Sequence, residues 1–207
     1  MDTMTMAAQE RAEFACLLDT LTPQQWATPS LCAGWTVHDV VAHAISYEGL
    51  GPREVFARVA KGRFYPAGAN AVGLADYRER SPAELIELFR KYPRPRGLTA
   101  SFGGLIALTD GMMHQQDIRR PLGLRREIPD ERIAPVLRFA LFAPVIRGIL
   151  RVHGVRLVAT DLDWSFGSGP EASGPAESLL MVIGGRRGVV SELSGPGTAK
   201  LIERIER

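Results

Sequence analysis

From residue 5 to about residue 148 the apolar residues recur at helical spacing, and this commits most of the chain to helices packed on one another. Phe14, Leu17, Leu18 and Leu21 lie about 3.6 residues apart and predict a helix over 5–20. Pro23, Pro29 and Gly34 break the pattern, so 21–35 reads as a connection. Thr36 and Asp39 form a capping box with Asp in place of the usual Glu and open a helix over about 37–49. Val37, Val40, Val41, Ala44 and Ile45 form its inward stripe. Residues 62–74, rich in Gly and Ala with one Pro, read as a loop. Ser81-Pro82-Ala83-Glu84 is a second capping box with Pro at the first helical position, which starts a helix over 82–92. A further helix is expected over about 100–119, ending near Pro121-Leu122-Gly123. Pro129-Asp130-Glu131 starts another, running to about 148, with Pro144 expected to kink or end it.

Near residue 152 the pattern changes. Val155–Thr160 alternates and is rich in β-branched residues, which predicts a strand. Residues 163–166 predict a second, and Gly167–Gly169 a turn. Helices are expected over about 175–187 and from 196 into the tail. The fold expected is therefore mostly α, a helical bundle over 1–150 with a small α/β domain over 151–207. The second piece is too short to stand confidently alone and is expected to pack on the bundle.

Bulk properties exclude several classes. Apolar residues make up 45% and charged residues 23%, enough for a real core. With 25 basic against 23 acidic residues the net charge is +2, which argues against nucleic-acid binding driven by bulk electrostatics. Cys16 and Cys32 make neither a disulfide framework nor a Cys-x-x-Cys zinc pair, and fit a reducing interior. The first residues lack a basic n-region followed by an apolar core, so no signal peptide is expected. There is no run of about 18 apolar residues, so no membrane span is expected, and the cytoplasm is the expected location.

The chain has four histidines: His38, His43, His114 and His153. Asp110 and His114 are four residues apart in a predicted helix, so they share a face, about 6 Å apart along the axis. Such a pair can grip one metal ion from one helix, as the two histidines of the zincin motif do. A carboxylate and an imidazole suit zinc, with other first-row divalent metals as rivals. His43, on the border of the apolar stripe of another helix, can add a third ligand, and three protein ligands leave a position open for chemistry. Spacing alone favours blander readings. These are an exposed intrahelical hydrogen bond for Asp110 and His114, and a core histidine bonded to a backbone carbonyl for His43.

The stretch Leu21-Thr22-Pro23, Trp26, Pro29, Leu31-Cys32-Ala33-Gly34-Trp35-Thr36-Val37, Asp39-Val40-Val41 and His43 resembles the N-terminal segment of the mycothiol-dependent maleylpyruvate isomerase family, one of the DinB-like metal-binding four-helix bundles. Asp110 to His114, continuing through Asp117, looks like that family's second metal motif. The stretch Gly169-Pro170, Ser173-Gly174-Pro175-Ala176-Glu177 and Gly185-Arg186-Arg187 is similar to its small α/β C-terminal domain. The resemblance implies an up-down bundle with His43, Asp110 and His114 on a divalent metal, zinc first, and mycothiol as the thiol cosubstrate. The isomerase is expected to carry Glu where this chain has Asp110, a side chain one methylene shorter, and that departure bears on the isomerase activity.

Neighbouring residues carry two readings each. Asp117 can accept the free ring N–H of His114, or pair with Arg119 or Arg120. Trp35 can line the mouth of the cavity, or pack the loop before the helix. Cys32 reads as a small buried residue rather than a reactive thiol. Arg186 and Arg187 can hold a substrate carboxylate, or form a solvated helix end. No catalytic residue beyond the metal ligands stands out. A metal site of this kind can stabilise a thiolate or lower the pKa of a bound water. The leading expectation is a thiol-dependent S-transferase or cis–trans isomerase acting on a small electrophilic or acidic substrate, as a monomer or homodimer. The alternatives are a metal-dependent hydrolase and a non-catalytic small-ligand-binding protein on the same bundle.

Overall fold

Several helices begin where the sequence supplies caps. Helix α1 (Thr3–Asp19) starts at Asp2, whose carboxylate accepts the Thr5 N–H at 2.9 Å. The short α2 (Pro23–Trp26) starts at a Thr22/Gln25 capping box inside the stretch expected to be a plain connection. The Thr36/Asp39 box opens α3 (Val37–Ile45), with both reciprocal bonds present. Then come α4 (Pro52–Gly62), α5 (Gly68–Tyr77), α6 (Pro82–Lys91) behind its Ser81/Glu84 box, and α7 (Leu105–Arg119). The computed structural model describes residues 1–64 and 68–206.

The chain divides into two compact units, Met1–Arg125 and Arg126–Arg207. In the first, α1 packs on α6 and α7, and α3 packs on the same two, which closes a four-helix bundle. Phe14, Leu18, Val40, Val41, Leu85, Phe89 and Ile118 form its core, and the rings of Phe14 and Phe89 lie 5.0 Å apart. Burying each such side chain contributes about 1.5–3 kcal/mol.

Two further differences from the sequence reading concern this unit. Of the expected loop over 62–74, residues 65–67 lie outside the described residues, and Gly68 onward forms α5. Two of its glycines serve close packing, while Gly68 holds a left-handed φ of 63° at the start of α5. A Cβ on Gly62 would stand 2.7 Å from Ala69 Cα, and one on Gly73 would stand 2.8 Å from both Arg58 Nη1 and Ser46 Oγ. Helix α7 begins at Leu105, later than expected, because Gly103 and Gly104 hold φ of 66° and 88° and turn the chain there. A Cβ on Gly104 would lie 3.1 Å from Met4 Cα, so α1 runs close against the start of α7.

The second unit contains α8 (Asp130–Phe142), α9 (Gly148–Val152), β1 (Arg156–Ala159), β2 (Ser165–Phe166), β3 (Glu171–Gly174), α10 (Ala176–Ile183) and α11 (Thr198–Ile205). The sheet order is β2-β1-β3, with β1 antiparallel to β2 and parallel to β3. Helix α8 stops at Phe142 because Ala143, which precedes Pro144, is extended. It packs on α10, so the unit begins at Arg126 rather than at the boundary expected near 150. Among the described residues no helix is long and apolar enough to cross a membrane.

Candidate metal centre

Helix α7 is buried along most of its circumference, with Thr109, His114, Gln115, Gln116 and Asp117 among the residues turned inward. Polar groups in that position need partners. Gln115 Nε2 donates to the Glu10 carboxylate at 2.8 Å, which ties α7 to α1. His114 and Asp117 face the other way, toward α3 and the turn before it.

His43, Asp110 and His114 converge there. His43 Nε2 stands 3.8 Å from Asp110 Oδ1, and His114 Nε2 stands 3.3 Å from the same oxygen. The three ligand atoms lie within 4.8 Å of one another. Bonds of about 2.0–2.2 Å at tetrahedral angles put neighbouring ligand atoms about 3.3–3.6 Å apart, close to the two separations from Asp110 Oδ1, so the donor set fits one small divalent ion. Two imidazoles and one carboxylate also match the ion's chemical preference. The side chains of His43 and His114 are 9% exposed and that of Asp110 is 36% exposed, so the carboxylate marks the open side.

The orientation of His114 is set from behind. Its Nδ1–H donates to Asp117 Oδ2 at 2.8 Å, and Asp117 is fully buried. This is the pairing expected of an outer carboxylate, and it turns the Nε2 lone pair toward the cluster. Sequence reasoning missed the second donor on Asp117. The Cys32 thiol reaches the same Oδ2 at 3.1 Å, and Leu31 N–H donates to the Asp117 carbonyl at 3.0 Å. No spacing rule could have brought Cys32 to Asp117, because the contact depends on how the turn docks.

Aromatic rings enclose His43. The Trp35 ring lies 5.1 Å from it and the Tyr47 ring meets it edge-on at 6.0 Å. The Arg58 guanidinium sits 4.9 Å above Tyr47 and donates to the carbonyl of Ser46. Tyr47 also went unnoticed in the sequence, although it lies four residues after His43; α3 ends at Ile45, before it, rather than near 49 as expected. Trp35 is half-buried, packed against both the bundle core and the His43 imidazole.

The charges reinforce one another. Burial disfavours ionisation of Asp110, but the charge and hydrogen bond of His114, and then those of His43, outweigh it and hold the carboxyl well below the usual range. Burial likewise disfavours a charged His114. The charge and hydrogen bond of Asp110 and the bonds from Asp117 and Cys32 outweigh that, and its pKa rises well above 6.5. Arg186 and Arg187 belong to the second unit, just past α10, where Arg186 Nη1 donates to the Gly184 carbonyl at 3.0 Å.

Residues 7–94 match the family model described as the mycothiol maleylpyruvate isomerase N-terminal domain. The match covers less than half of the chain. The matched segment of the maleylpyruvate isomerase family includes α3 and His43 and stops before α7. Two crystal structures titled as the mycothiol-dependent maleylpyruvate isomerase share the fold. One, a histidine-to-alanine mutant, is 14% identical with a TM-score of 0.59, the alignment covering 94% of this chain and 91% of that one. The other is 13% identical with a TM-score of 0.55 and the same coverage. At such identity the likeness speaks for the fold alone. A search of curated proteins finds no match.

Proposed function

We propose that this chain binds one divalent metal ion, zinc first, through His43, Asp110 and His114, and uses it to activate a small thiol such as mycothiol. The activated thiol is transferred to a small electrophilic substrate or adds to it reversibly to isomerise it. The observation that carries the reading is the convergence of three ligand atoms from two helices within 4.8 Å. The match of residues 7–94 to the mycothiol maleylpyruvate isomerase N-terminal domain supports the choice of thiol. A zinc ion held there supplies a Lewis-acid position at which a thiol is stable as thiolate near neutral pH.

The chain's own residues prepare that position. His43 and His114 offer Nε2, and Asp117 keeps the proton of His114 on Nδ1. Asp110 adds one negative charge, so the ligand set leaves a net positive charge to hold a thiolate. Trp35 and Tyr47 shield His43 from water and leave the open side at Asp110.

The test is metal analysis of protein purified without chelator or a metal-affinity tag. Wild type is expected to carry about one zinc per chain, and a His43→Ala, His114→Ala double variant to carry none. Full metal content in the double variant sinks the proposal. Calorimetry with mycothiol and glutathione then separates the thiol enzyme from a hydrolase, which would give no heat with either.

A further inference from the structure

We infer that the turn from Ser30 to Trp35 orients both imidazoles of the centre, and that Cys32 is the positioning residue through which it acts on His114. The inference rests on the metal reading above and deepens it.

Three separate links join this turn to the cluster. Cys32 Sγ–H donates to Asp117 Oδ2 at 3.1 Å and stands 3.9 Å from His114 Nδ1. Leu31 N–H holds the Asp117 carbonyl at 3.0 Å, so one residue of α7 is gripped at side chain and backbone together. Four residues along from Leu31, the Trp35 ring lies against His43. The turn is itself closed: Ser30 N–H and Oγ–H both donate to the Trp35 carbonyl at 2.9 Å, and Cys32 N–H donates to Ser30 Oγ at 3.1 Å. Its two ends, Pro29 and Thr36, form an isolated antiparallel bridge.

The physical consequence lies in the rotamer of Asp117. A carboxylate with a single donor can turn about its last bond and still accept. Asp117 Oδ2 instead receives the His114 Nδ1–H and the Cys32 thiol together, and that pair of directions selects one orientation. The imidazole of His114 inherits it, with Nε2 aimed at the ligand cluster. Cys32 touches no ligand position itself. A thiol is a weak donor, so its contribution is smaller than that of Asp117.

The test is a zinc competition titration of the full chain at pH 8. The variants are Cys32→Ala, Cys32→Ser, Asp117→Asn and the double variant Cys32→Ala, Asp117→Asn, with unfolding midpoints taken on zinc-free samples. Loss of an outer partner typically weakens metal binding 10–100-fold, so one step further out Cys32→Ala should weaken it about three- to tenfold. Cys32→Ser restores a donor and should return to within about twofold of wild type. In the Asp117→Asn background, Cys32→Ala should cost less than about twofold, since the path through the carboxylate is already altered. Cys32→Val takes the place of the alanine variant if the latter does not fold. Wild-type affinity in Cys32→Ala, a serine variant as weak as the alanine one, or an undiminished effect in the Asp117→Asn background each overturns the inference and leaves the metal reading standing. A wild-type protein that takes up no zinc overturns both.

Discussion

Replacing Asp117 with Asn keeps the size of the side chain and removes its charge at a site with no solvent exposure. The bond affected is His114 Nδ1–H to Oδ2 at 2.8 Å. A hydrogen bond to a charged group contributes about 1.5–3 kcal/mol against about 0.5–1.5 for a neutral one. The difference, about 1–1.5 kcal/mol, corresponds to about a tenfold weaker zinc affinity. A second effect opposes it. Asp117 is one of the groups that raise the pKa of His114, and a proton on Nε2 competes with the metal. Asp117→Asn lowers that pKa and relieves the competition. The loss should therefore be near tenfold at pH 8.5 and shrink toward pH 6. Zinc affinity is measured by competition with a chromophoric chelator at several pH values, with calorimetry in buffers of different ionisation enthalpy counting the protons released. Equal affinity for the two proteins across that range, or a loss that grows as the pH falls, refutes the reasoning.

Two further outcomes test the surroundings of the centre. In zinc-free protein His114 has a pKa raised above 6.5, so its ion pairs stabilise fully below about pH 6.5 and fade as the pH climbs through the raised value; Asp110, depressed from 3.8, contributes above about pH 4 and is lost in acid. The urea midpoint of wild type relative to His114→Gln should be greatest between about pH 4 and 6.5, and a difference that increases from pH 6.5 to 9 contradicts the assignment. Gly73→Ala would place a methyl 2.8 Å from Arg58 Nη1 and Ser46 Oγ, and should cost about 1–3 kcal/mol by overpacking; an unchanged urea midpoint refutes the close fit of α5 on Arg58.

The sequence is most legible where caps and periodicity agree. The boxes at Thr36 and Ser81 place the starts of α3 and α6 to the residue, because reciprocal side-chain bonds leave the helix little choice of start. It is less legible where one composition serves two ends. From Gly68 onward the Gly- and Ala-rich stretch that reads as a loop forms α5, and the space left at Gly73 is filled by Arg58 and Ser46. Strand β3 escapes notice because Glu171–Gly174 has no β-branched residue, and its pairing with β1 supplies what propensity does not. Of the candidate centre, Asp110 and His114 follow from helical spacing, and His43 can be paired with them only through the family resemblance. Tyr47, four residues after His43, was within reach of the same spacing rule, whereas Cys32 reaches the site through a turn whose docking no local rule describes.

The cap at Thr36 also sets where His43 faces. An α-helix advances about 100° per residue, so the direction of the imidazole is counted from the residue at which α3 begins. One residue inserted between Thr36 and His43 would swing the ring about a quarter-turn away from Asp110 and His114 while leaving every side chain of the trio in place chemically. The candidate centre is in that sense written as a distance along the chain as much as a choice of amino acids, and a length change there would part the three side chains with none of them altered.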